Sequence, residues 1–326
     1  MVLIIGGTGL VGSHLILEIY RKNLELRVTY RCKENLKNLK SCLSKYFNIN
    51  SNYINSIDWV YANVIDITSL DDALKGVNFV YHCAAKVSLA NYDKNELYKT
   101  NIEGTANVVN LCIKHKVKKL CYISSIASIN PKKSVRMINE HHSWDDTKLY
   151  TFYAFSKYAA EKEVWRGSQE GLNVVIVNPG LILGGKFNNS NMKKMLKIAR
   201  SNFIFYPTGN IAVIDINDVV KILLLLMNSN ITNERFILVS DNIKQKKLFN
   251  MFKLSVEKKE AYLPLTRSML NFLLTIETII NYLGIKKKFM SKAIIETLCS
   301  KQSYDGSKVS RLLSFDYKKI KMFPGS

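Results

Sequence analysis

A tyrosine and a lysine four residues apart are the side chains whose types and spacing most directly indicate acid–base chemistry. Tyr153 and Lys157 lie in the stretch YTFYAFSKYAAEKEVW, which has no proline or glycine and carries apolar residues at helical spacing. Because positions i and i+4 share one face of a helix, the phenol and the ammonium should lie side by side. We expect Lys157 to lower the pKa of Tyr153 and so to permit proton transfer near neutral pH. The alternative is a solvated lysine beside a half-buried tyrosine.

Three regularly spaced glycines mark a candidate phosphate-binding turn at the start of the chain. The segment GGTGLVG places Gly6, Gly9 and Gly12 between the apolar run Val2 to Ile5 and a helical pattern, SHLILEIYRK. Such a unit uses one glycine for a tight turn, one for close approach to a pyrophosphate and one for packing the helix on the strand. The helix N-terminus would then face the phosphates. The sequence therefore predicts a dinucleotide site, with an ordinary strand-to-helix turn as the alternative.

The end of the second predicted strand bears on which dinucleotide is bound. The strand LRVTY ends at Tyr30, and Arg31 follows where NAD-specific folds usually carry a carboxylate for the ribose hydroxyls. A guanidinium can bind a 2′-phosphate in a forked geometry, whereas a carboxylate would repel it. We therefore expect NADP as the cofactor, with NAD as the alternative. An Arg31 that is only solvated is the competing interpretation of this position.

Strands and helices alternate six times over roughly the first 180 residues. This alternation predicts βαβ units and an α/β fold of the doubly wound, Rossmann type with a parallel sheet. Ligands of such sheets bind at the carboxyl ends of the strands. Asp66 at one such end could accept a hydrogen bond from an adenine amino group, and the small Ala84 and Ala85 would let a cofactor lie against the backbone. The residues at predicted strand ends are Gly9, Arg31, Asp66, Ala84, Ser125 and Pro179.

The composition limits the classes of partner. The chain of 326 residues has 47 basic and 26 acidic residues, a formal charge of +21, but its lysines are spread along the sequence. It has no aromatic-and-arginine platform of a nucleic-acid binder, so we expect no nucleic-acid partner and a charge that attracts anionic ligands. Its six cysteines form no Cys-x-x-Cys or Cys/His cluster. This pattern predicts reduced thiols in a cytoplasm and no metal site.

Two apolar segments could be mistaken for membrane or export signals. The N-terminus, MVLIIGGTG, has no basic region ahead of its apolar run and is interpreted as a strand rather than a signal peptide. The segment SMLNFLLTIETIINYLGI is interrupted by Asn271, Glu277 and Asn281, and its apolar residues recur at helical spacing. A buried or groove-lining helix is therefore expected there, not a membrane span.

The second half of the chain has a different pattern. It contains a basic helical segment, NMKKMLKIARSNF, a helix that begins between Asp215 and Asp218, the strand FILVS and further helical segments up to Phe323. We predict a nucleotide-binding domain over residues 1–180 and a smaller, mostly helical substrate lobe over residues 181–326. Parts of 211–240 should pack back on the sheet domain. We expect a small-molecule substrate and consider a homodimer possible.

These segments together resemble the extended short-chain dehydrogenase/reductase family, also called the NAD-dependent epimerase/dehydratase family. The resemblance covers nearly the whole chain through GGTGLVG, DITSLDDAL, VYHCAA, TNIEGTANVVNLC, YISSIAS, YAFSK and VNPGLILG. It implies a catalytic group of Ser125, Tyr153 and Lys157 supported by Asn101, with Ser124 as the alternative serine. The predicted cofactor contacts are Gly6, Thr8, Gly9, Leu10, Val11, Gly12, Arg31, Asp66, Ile67, Ala84, Ala85, Tyr153, Lys157, Pro179 and Gly180.

The family resemblance also implies a mechanism. A nicotinamide would carry the hydride, Tyr153 would give a proton to the substrate oxygen, Lys157 would hold the ribose and Ser125 would stabilise the developing charge. The segments VIVNPGLILG and YPTGNIAVIDINDVV are most similar to the dihydroflavonol-reductase and 3β-hydroxysteroid-dehydrogenase branch. Asn130 and Pro131 depart from that branch beside the expected substrate pocket, so the substrate is left open.

Four functions are compatible with the sequence. The leading hypothesis is an NADP-dependent oxidoreductase that acts on a ketone or secondary alcohol of an apolar small molecule. The first alternative is a sugar-nucleotide epimerase or dehydratase with tightly bound NAD. A non-catalytic sensor or scaffold that kept the nucleotide site is a second alternative. A peripheral membrane enzyme is a variant of the leading hypothesis.

Overall fold

Short apolar runs alternate with helices along most of the chain. The computed structural model describes residues 1–185, 190–285 and 289–320. Its strands are β1 (Val2–Ile5), β2 (Leu26–Tyr30), β3 (Asp58–Tyr61), β4 (Phe79–His82), β5 (Lys119–Ile123), β6 (Met137–Ile138), β7 (Val174–Pro179), β8 (Leu181–Leu183), β9 (Phe205–Pro207), β10 (Asn210–Asp215), β11 (Glu234–Leu238), β12 (Asp241–Lys244), β13 (Leu263–Leu265) and β14 (Ser303–Tyr304). Its α-helices are α1 (Leu10–Tyr20), α2 (Lys33–Phe47), α3 (Ser51–Ser56), α4 (Ile67–Leu74), α5 (Lys94–Leu97), α6 (Gly104–Lys114), α7 (Phe152–Gln169), α8 (Ser190–Arg200), α9 (Ile216–Asn228), α10 (Gln245–Leu254), α11 (Arg267–Tyr282), α12 (Lys292–Cys299) and α13 (Ser307–Leu313).

A seven-stranded parallel sheet organises these elements, in the order β3-β2-β1-β4-β5-β7-β11. The order reverses direction between β1 and β4, which is the switch point where doubly wound folds bind their ligands. The strands β1, β5 and β7 are buried along their whole length, as expected of strands covered by helices on both faces. This topology confirms the predicted fold class.

Alternate residues of each central strand contribute to two separate hydrophobic cores. Val2 and Ile4 of β1 join the core formed with α1 and α9, whereas Leu3 and Ile5 join the core formed with α4, α6 and α7. This separation follows from the two-residue period of a strand, which sends successive side chains to opposite faces. The helix α7, which carries Tyr153 and Lys157, is therefore fixed against the sheet by one of the two cores.

The second half of the chain contributes to the central sheet and also forms three small sheets. The strand β11 pairs with β7, and α9 packs beside α1 on the sheet. The small sheets pair β12-β10-β8, β13-β9 and β14-β6. The predicted domain boundary at residue 180 therefore falls between two consecutive strands, β7 and β8, and the division into two domains stays a prediction. Predicted lobe residues 186–189, 286–288 and 321–326 lie outside the described residues.

The long helix predicted before β5 is divided by a wider turn. Between α5 and α6, the residues Tyr98–Glu103 form a π-helical segment. Such segments insert one extra residue per turn and are frequent at functional sites. Here the segment contains Asn101, whose side chain is buried. The segment contacts α7, and apolar spacing alone does not reveal such a wider turn.

Two of the three spaced glycines are required by close backbone packing. Gly6 has a φ of +88°, and a Cβ there would lie 2.7 Å from the nitrogen of Ala84. At Gly12 a Cβ would lie 2.5 Å from the carbonyl oxygen of Gly6. At Gly9 the nearest heavy atom would be 3.4 Å away, and the backbone is extended. Close packing within the protein therefore explains why glycine is needed at Gly6 and Gly12. At Gly9 the packing leaves room for a side chain.

We expect Gly12→Ala to lower the free energy of unfolding by about 1–3 kcal/mol, because its Cβ would push two backbone segments apart. Alanine has a higher helix propensity than glycine, which by itself would stabilise the variant. A net loss of stability would therefore come from the steric clash. Gly9→Ala is the matched control and should change the urea midpoint little. Equal midpoints for the two variants would contradict this account of the glycine turn.

Candidate active site

The turn from β1 into α1 opens onto a cleft at the switch point of the sheet. The backbone N–H of Gly6 donates to Oγ1 of Thr29 on β2 (3.0 Å), which anchors the turn to the neighbouring strand. Gly9 is the residue that precedes the first turn of α1. Helix N-termini attract anions through their free N–H groups and dipole. The open space at Gly9 is therefore a suitable place for a phosphate to approach the backbone.

We call the depression beside this turn the nucleotide cleft. Its lining residues come from the carboxyl ends of β1, β2, β3 and β4 and from the segment after β4. They are Ile5, Gly6, Thr8, Gly9, Thr29, Tyr30, Arg31, Asn35, Ala62, Asn63, Val64, Cys83, Ala84, Ala85, Lys86, Glu96 and Thr100. Predicted cofactor residues Gly6, Thr8, Gly9, Arg31, Ala84 and Ala85 thus line one cleft. The backbone of the glycine turn and the cationic Arg31 are groups in this lining that could hold an anionic nucleotide.

Asp66 and Ile67, predicted at the adenine end, lie at the start of α4, and their contact with a cofactor stays a prediction. Asp66 caps α4, since its side chain accepts from the backbone N–H of Ser69 (3.5 Å), and Ile67 begins that helix and is 57% exposed. The lining of the cleft includes Asn63 and Val64, three residues earlier. The prediction assigned the carboxylate to adenine because it follows a strand. The strand actually ends at Tyr61, so the first turn after it carries Asn63.

The remaining predicted cofactor residues lie beside the cleft lining. Leu10 and Val11 begin α1 and pack against one hydrophobic core. Pro179 ends β7, and Gly180 follows it. A Cβ at Gly180 would lie 2.6 Å from the carbonyl oxygen of Ala212, so close packing of β10 is sufficient to explain this glycine. Cofactor contacts of Leu10, Val11, Gly12, Pro179 and Gly180 stay predictions.

Tyr153 stands at the start of α7, opposite the end of β5. Thr151 caps the helix by accepting from the N–H of Ala154 (3.2 Å), which sets the position of its first turn. Burial raises the pKa of the Tyr153 hydroxyl, and a hydrogen bond with Ser125 lowers it in part. The pKa of Tyr153 is therefore raised overall. The predicted lowering of this pKa by Lys157 is wrong for the protein without a bound cofactor. The reason is that Tyr153 loses water while its one strong partner is a neutral hydroxyl.

The serine doublet divides into two different environments. Ser125 accepts from the N–H of Ala127 (3.2 Å) and hydrogen-bonds Tyr153. Ser124 is buried, and its hydroxyl has no hydrogen-bond partner among the described residues. Of the two serines, Ser125 is therefore the one in contact with the tyrosine. This geometry favours Ser125 over Ser124 as the serine of the candidate catalytic group.

Lys157 is 1% exposed and donates to two groups of β5. Its Nζ lies 2.8 Å from the hydroxyl of Tyr122 and 2.8 Å from the carbonyl oxygen of Ile123. Burial lowers the pKa of Lys157 to about 7, although the carboxylate of Glu161 acts in the opposite direction. The lysine therefore titrates near neutral pH, and its ammonium form depends on the two β5 oxygens.

A chain of buried polar groups continues from Lys157 into the sheet. The Tyr122 hydroxyl hydrogen-bonds Thr105, whose Oγ1 lies 3.0 Å from Nε2 of His82. Burial lowers the pKa of His82 to about 3, and the positive charge of Lys157 acts in the same direction. His82 is thus neutral at physiological pH. Sequence reasoning missed Tyr122, Thr105 and His82, since they lie inside strand and helix patterns that indicate only core.

Asn101 ties the segment after β4 to α7. Its Oδ1 accepts from the backbone N–H of Lys86 (2.8 Å), and its Nδ2 donates to the Lys86 carbonyl (3.0 Å) and to Oγ of Ser156 (2.9 Å). The structure brings Asn101 next to the residue that precedes Lys157. Its side chain thereby fixes the wall of the nucleotide cleft relative to the helix that carries Tyr153.

A second buried group supports α7 from its other side. Glu161 accepts hydrogen bonds from Ser128 and from Nδ2 of Asn178, and Arg235 of β11 lies 3.5 Å from it. Asn178 also donates to the carbonyl of Ser125 (3.1 Å), so β7 is connected to the serine segment. These contacts explain why a polar residue stands at a fully buried strand position before Pro179.

The described residues contain no group of three or more His, Cys, Asp or Glu placed to hold a metal ion. None of the six cysteines, all of which lie in the described ranges, forms a disulfide bond. Within the same ranges, no helix combines the length and the apolar character needed to cross a bilayer.

Comparison with known proteins relates this geometry to characterised folds. A 29% identical relative is a putative dihydroflavonol 4-reductase of Synechocystis, over 73% of this chain and 67% of that protein. Sterol demethylase protein B of Methylococcus capsulatus is 27% identical, over 74% and 70% of the two chains. The solved structure of a dTDP-glucose 4,6-dehydratase of Streptomyces venezuelae with NAD bound has a TM-score of 0.72 at 15% identity, covering 98% and 92%.

A family model spans most of the chain. The model of the NAD dependent epimerase/dehydratase family matches residues 2–238, which include the glycine turn, the nucleotide cleft, Ser125 and the α7 residues Tyr153 and Lys157. This match confirms the resemblance in the sequence segments. The chain belongs to the NAD-dependent epimerase/dehydratase family, the extended short-chain dehydrogenases/reductases.

Proposed function

We propose that this protein is an NADP-dependent reductase of a ketone on an apolar small molecule, with Ser125, Tyr153 and Lys157 as its catalytic group. The observation that carries the proposal is the contact of Tyr153 with Ser125 one helical turn from buried Lys157. Lys157 also influences the ionisation of Cys83, which lines the nucleotide cleft. Proton-transfer groups and the cleft are thus neighbours. The reductase relatives support the reaction class.

The nucleotide, when bound, supplies the hydride, and the protein supplies position and a proton. Gly9 and the N-terminus of α1 would hold the pyrophosphate, and Arg31 the 2′-phosphate. Ser125 would donate a hydrogen bond to the substrate oxygen, where negative charge develops. Tyr153 would transfer its hydroxyl proton to that oxygen. The ammonium of Lys157 would stabilise the phenolate that remains.

The raised pKa of Tyr153 is compatible with a role as proton donor. The raised pKa of Tyr153 keeps its hydroxyl protonated at neutral pH, which is the form that a proton donor needs. Oxidation of an alcohol would require the phenolate at the start. An ammonium at Lys157 helps to form that phenolate, and its pKa of about 7 makes this help dependent on pH.

The alternative function is a sugar-nucleotide epimerase or dehydratase with tightly bound NAD. It is supported by the fold shared with the dTDP-glucose 4,6-dehydratase. Product analysis separates the two: net consumption of NADPH supports the reductase, and isomerisation or dehydration without net redox supports the alternative. The apolar substrate class, a cytoplasmic location and a homodimer are further parts of the proposal.

We expect Tyr153→Phe to keep cofactor affinity and to lower turnover by ~10²–10⁴-fold, because the proton donor is removed. Turnover is measured by NADPH absorbance with a ketone found in a substrate screen. Tyr158→Phe is the matched control, since Tyr158 lies on the same helix and stacks on Trp144. A Tyr153→Phe enzyme as active as the control would remove Tyr153 from the mechanism.

We expect Arg31→Ala to weaken NADP binding by roughly tenfold to more than a hundredfold, the equivalent of a charge-assisted contact of ~1.5–3 kcal/mol. Affinity for NAD should change little. Arg21→Ala, at an exposed surface pair with Glu18, controls for the loss of one positive charge. Nucleotide fluorescence titration measures both cofactors, and tighter binding of NAD than NADP by the unmodified protein would favour the epimerase or dehydratase.

We expect Tyr122→Phe to lower the pKa of Lys157, because the hydroxyl accepts a hydrogen bond from the ammonium and so stabilises the charged form. If charged Lys157 binds the ribose, cofactor affinity falls as pH rises through this pKa. The pH at which affinity falls should then be lower by about one unit in the variant.

Tyr81→Phe is the matched control for that measurement. Tyr81 is another buried tyrosine on a central strand, but it belongs to the core on the opposite face of the sheet. Titration of the cofactor's own phosphate affects both variants equally. An identical pH profile for the two variants would show that Tyr122 does not set the ionisation of Lys157.

A further inference from the structure

Three buried polar side chains continue the contacts of Lys157 into the sheet, and we call these four residues the polar chain. Tyr122 of β5 accepts a hydrogen bond from Nζ of Lys157 (2.8 Å) and hydrogen-bonds Thr105 of α6. Oγ1 of Thr105 lies 3.0 Å from Nε2 of His82 on β4. All four side chains are at most 1% exposed. Burial of polar groups costs free energy unless they hydrogen-bond each other, so packing alone does not explain this chain.

Thr105 differs from other threonines in helices of this protein. A threonine hydroxyl inside a helix commonly donates to the carbonyl four residues earlier. Three threonines of α11 and α12 do so, at 2.7–3.1 Å, namely Thr275, Thr278 and Thr297. The hydroxyl of Thr105 instead reaches His82 and Tyr122, on two strands of the sheet. Its partners therefore belong to the polar chain and not to its own helix.

The charge of Lys157 determines the direction of these hydrogen bonds. An ammonium has donors and no acceptor, so the oxygen of Tyr122 must accept from it. The proton of Tyr122 is then directed to Thr105, and the proton of Thr105 to Nε2 of His82. An imidazole nitrogen that accepts carries no proton, so a neutral His82 holds its proton on Nδ1. Burial keeps His82 neutral, since it lowers the pKa to about 3.

The opposite direction does not fit a charged lysine. If Nε2 of His82 donated to Thr105 and Thr105 donated to Tyr122, the tyrosine proton would have to point towards the ammonium. The direction that does fit has a cost at its far end. Nδ1 of His82 has no hydrogen-bond partner among the residues that the structure describes, so a proton there is buried and unpaired. His82 alone gains nothing from this tautomer, whereas Lys157 requires it.

We propose that Thr105 and His82 are positioning residues that orient the hydroxyl of Tyr122, so that its lone pair faces the ammonium of Lys157. His82 accepts from Thr105, and Thr105 accepts from Tyr122. The inference rests on the proposed function only for the use of the ammonium, which would bind the ribose and stabilise the phenolate of Tyr153. The orientation itself needs neither cofactor nor substrate, so it can be measured without them.

Other ionisable groups also face the polar chain. Glu161, one turn further along α7, favours the ammonium form of Lys157. Cys83 of β4 lies near the same ammonium, but burial raises the pKa of its thiol, which is therefore neutral. Burial likewise raises the pKa of Tyr153, which keeps its proton. These three groups are unchanged in variants of Thr105, so a difference between such variants reports the polar chain.

The tautomer of His82 tests the orientation in the unmodified protein. ¹⁵N NMR of the ring nitrogens distinguishes the two neutral tautomers and the imidazolium, and sequential backbone correlations identify His82 among the five histidines. At about pH 6, below the pKa of Lys157, we expect one neutral form of His82 with its proton on Nδ1. A proton on Nε2, or an imidazolium, would overturn the proposal whatever the activity of the protein.

Two substitutions of Thr105 separate its hydroxyl from its packing. Thr105→Val keeps the shape of the side chain without the hydroxyl, and Thr105→Ser keeps the hydroxyl without the methyl group. In Thr105→Val we expect a population of His82 with its proton on Nε2. The pH at which NADP affinity falls should also be lower by roughly half a unit, because the proton of Tyr122 loses its acceptor and turns towards Lys157.

Thr105→Ser is the matched control and should keep the tautomer and the pH profile of the unmodified protein. A Thr105→Val protein that matches the unmodified protein in both measurements would overturn the positioning role. Failure of the proposed function has a different signature. If NADP does not bind, or its affinity does not change across the pKa of Lys157, the ribose role of Lys157 fails. A tautomer on Nδ1 that Thr105→Val disturbs and Thr105→Ser preserves would still support the orientation.

Discussion

The buried ammonium of Lys157 is the constraint on which the arrangement of this site depends. A charged group inside a protein requires oxygen partners, and Lys157 finds them in the Tyr122 hydroxyl and the Ile123 carbonyl of β5. Both oxygens lie on a strand whose five residues are all buried. The lysine can therefore keep its position only if α7 is held at a fixed distance from the sheet. The hydrophobic core beneath α7 and the hydrogen bonds of Asn101 and Glu161 provide that fixation.

The same rigidity serves the nucleotide cleft. Asn101 binds both backbone groups of Lys86, which follows the small residues at the end of β4. The cleft wall and α7 are thus joined by one amide side chain. On the other side of the cleft, Gly6 and Gly12 allow α1 to approach the sheet closely, while Gly9 leaves its backbone accessible. Cofactor and substrate would therefore meet between two elements that are each fixed to the same sheet.

The sequence was sufficient for the fold, and it singled out several candidate residues that line one cleft, because the relevant signals are local. The glycine turn, the strand ends and the Tyr153 helix are each encoded within a few residues. Strand β3 ends five residues before Asp66, and propensity does not locate such ends well, so the sequence did not reveal that Asp66 caps α4. The pKa direction of Tyr153 was wrong because it depends on burial and on Ser125, which lies 28 positions away in sequence. Contacts such as Asn178 with Glu161 join distant segments, and no spacing rule reveals them.

The low pKa of Lys157 also has a thermodynamic consequence. The unfolded chain would bind this proton with the ordinary pKa of 10.5, whereas the folded protein binds it with a pKa of about 7. The unfolded state therefore takes up more protons between these values, and this residue's contribution to stability rises with pH across that window. Below pH 7 the full cost, of order 5 kcal/mol, opposes folding. A neutral side chain of similar size would avoid that cost, so stability alone does not explain a lysine here. In the proposed function, a phenolate at Tyr153 or a bound ribose would give the ammonium a further partner besides the Tyr122 hydroxyl and the Ile123 carbonyl, and would offset part of that cost.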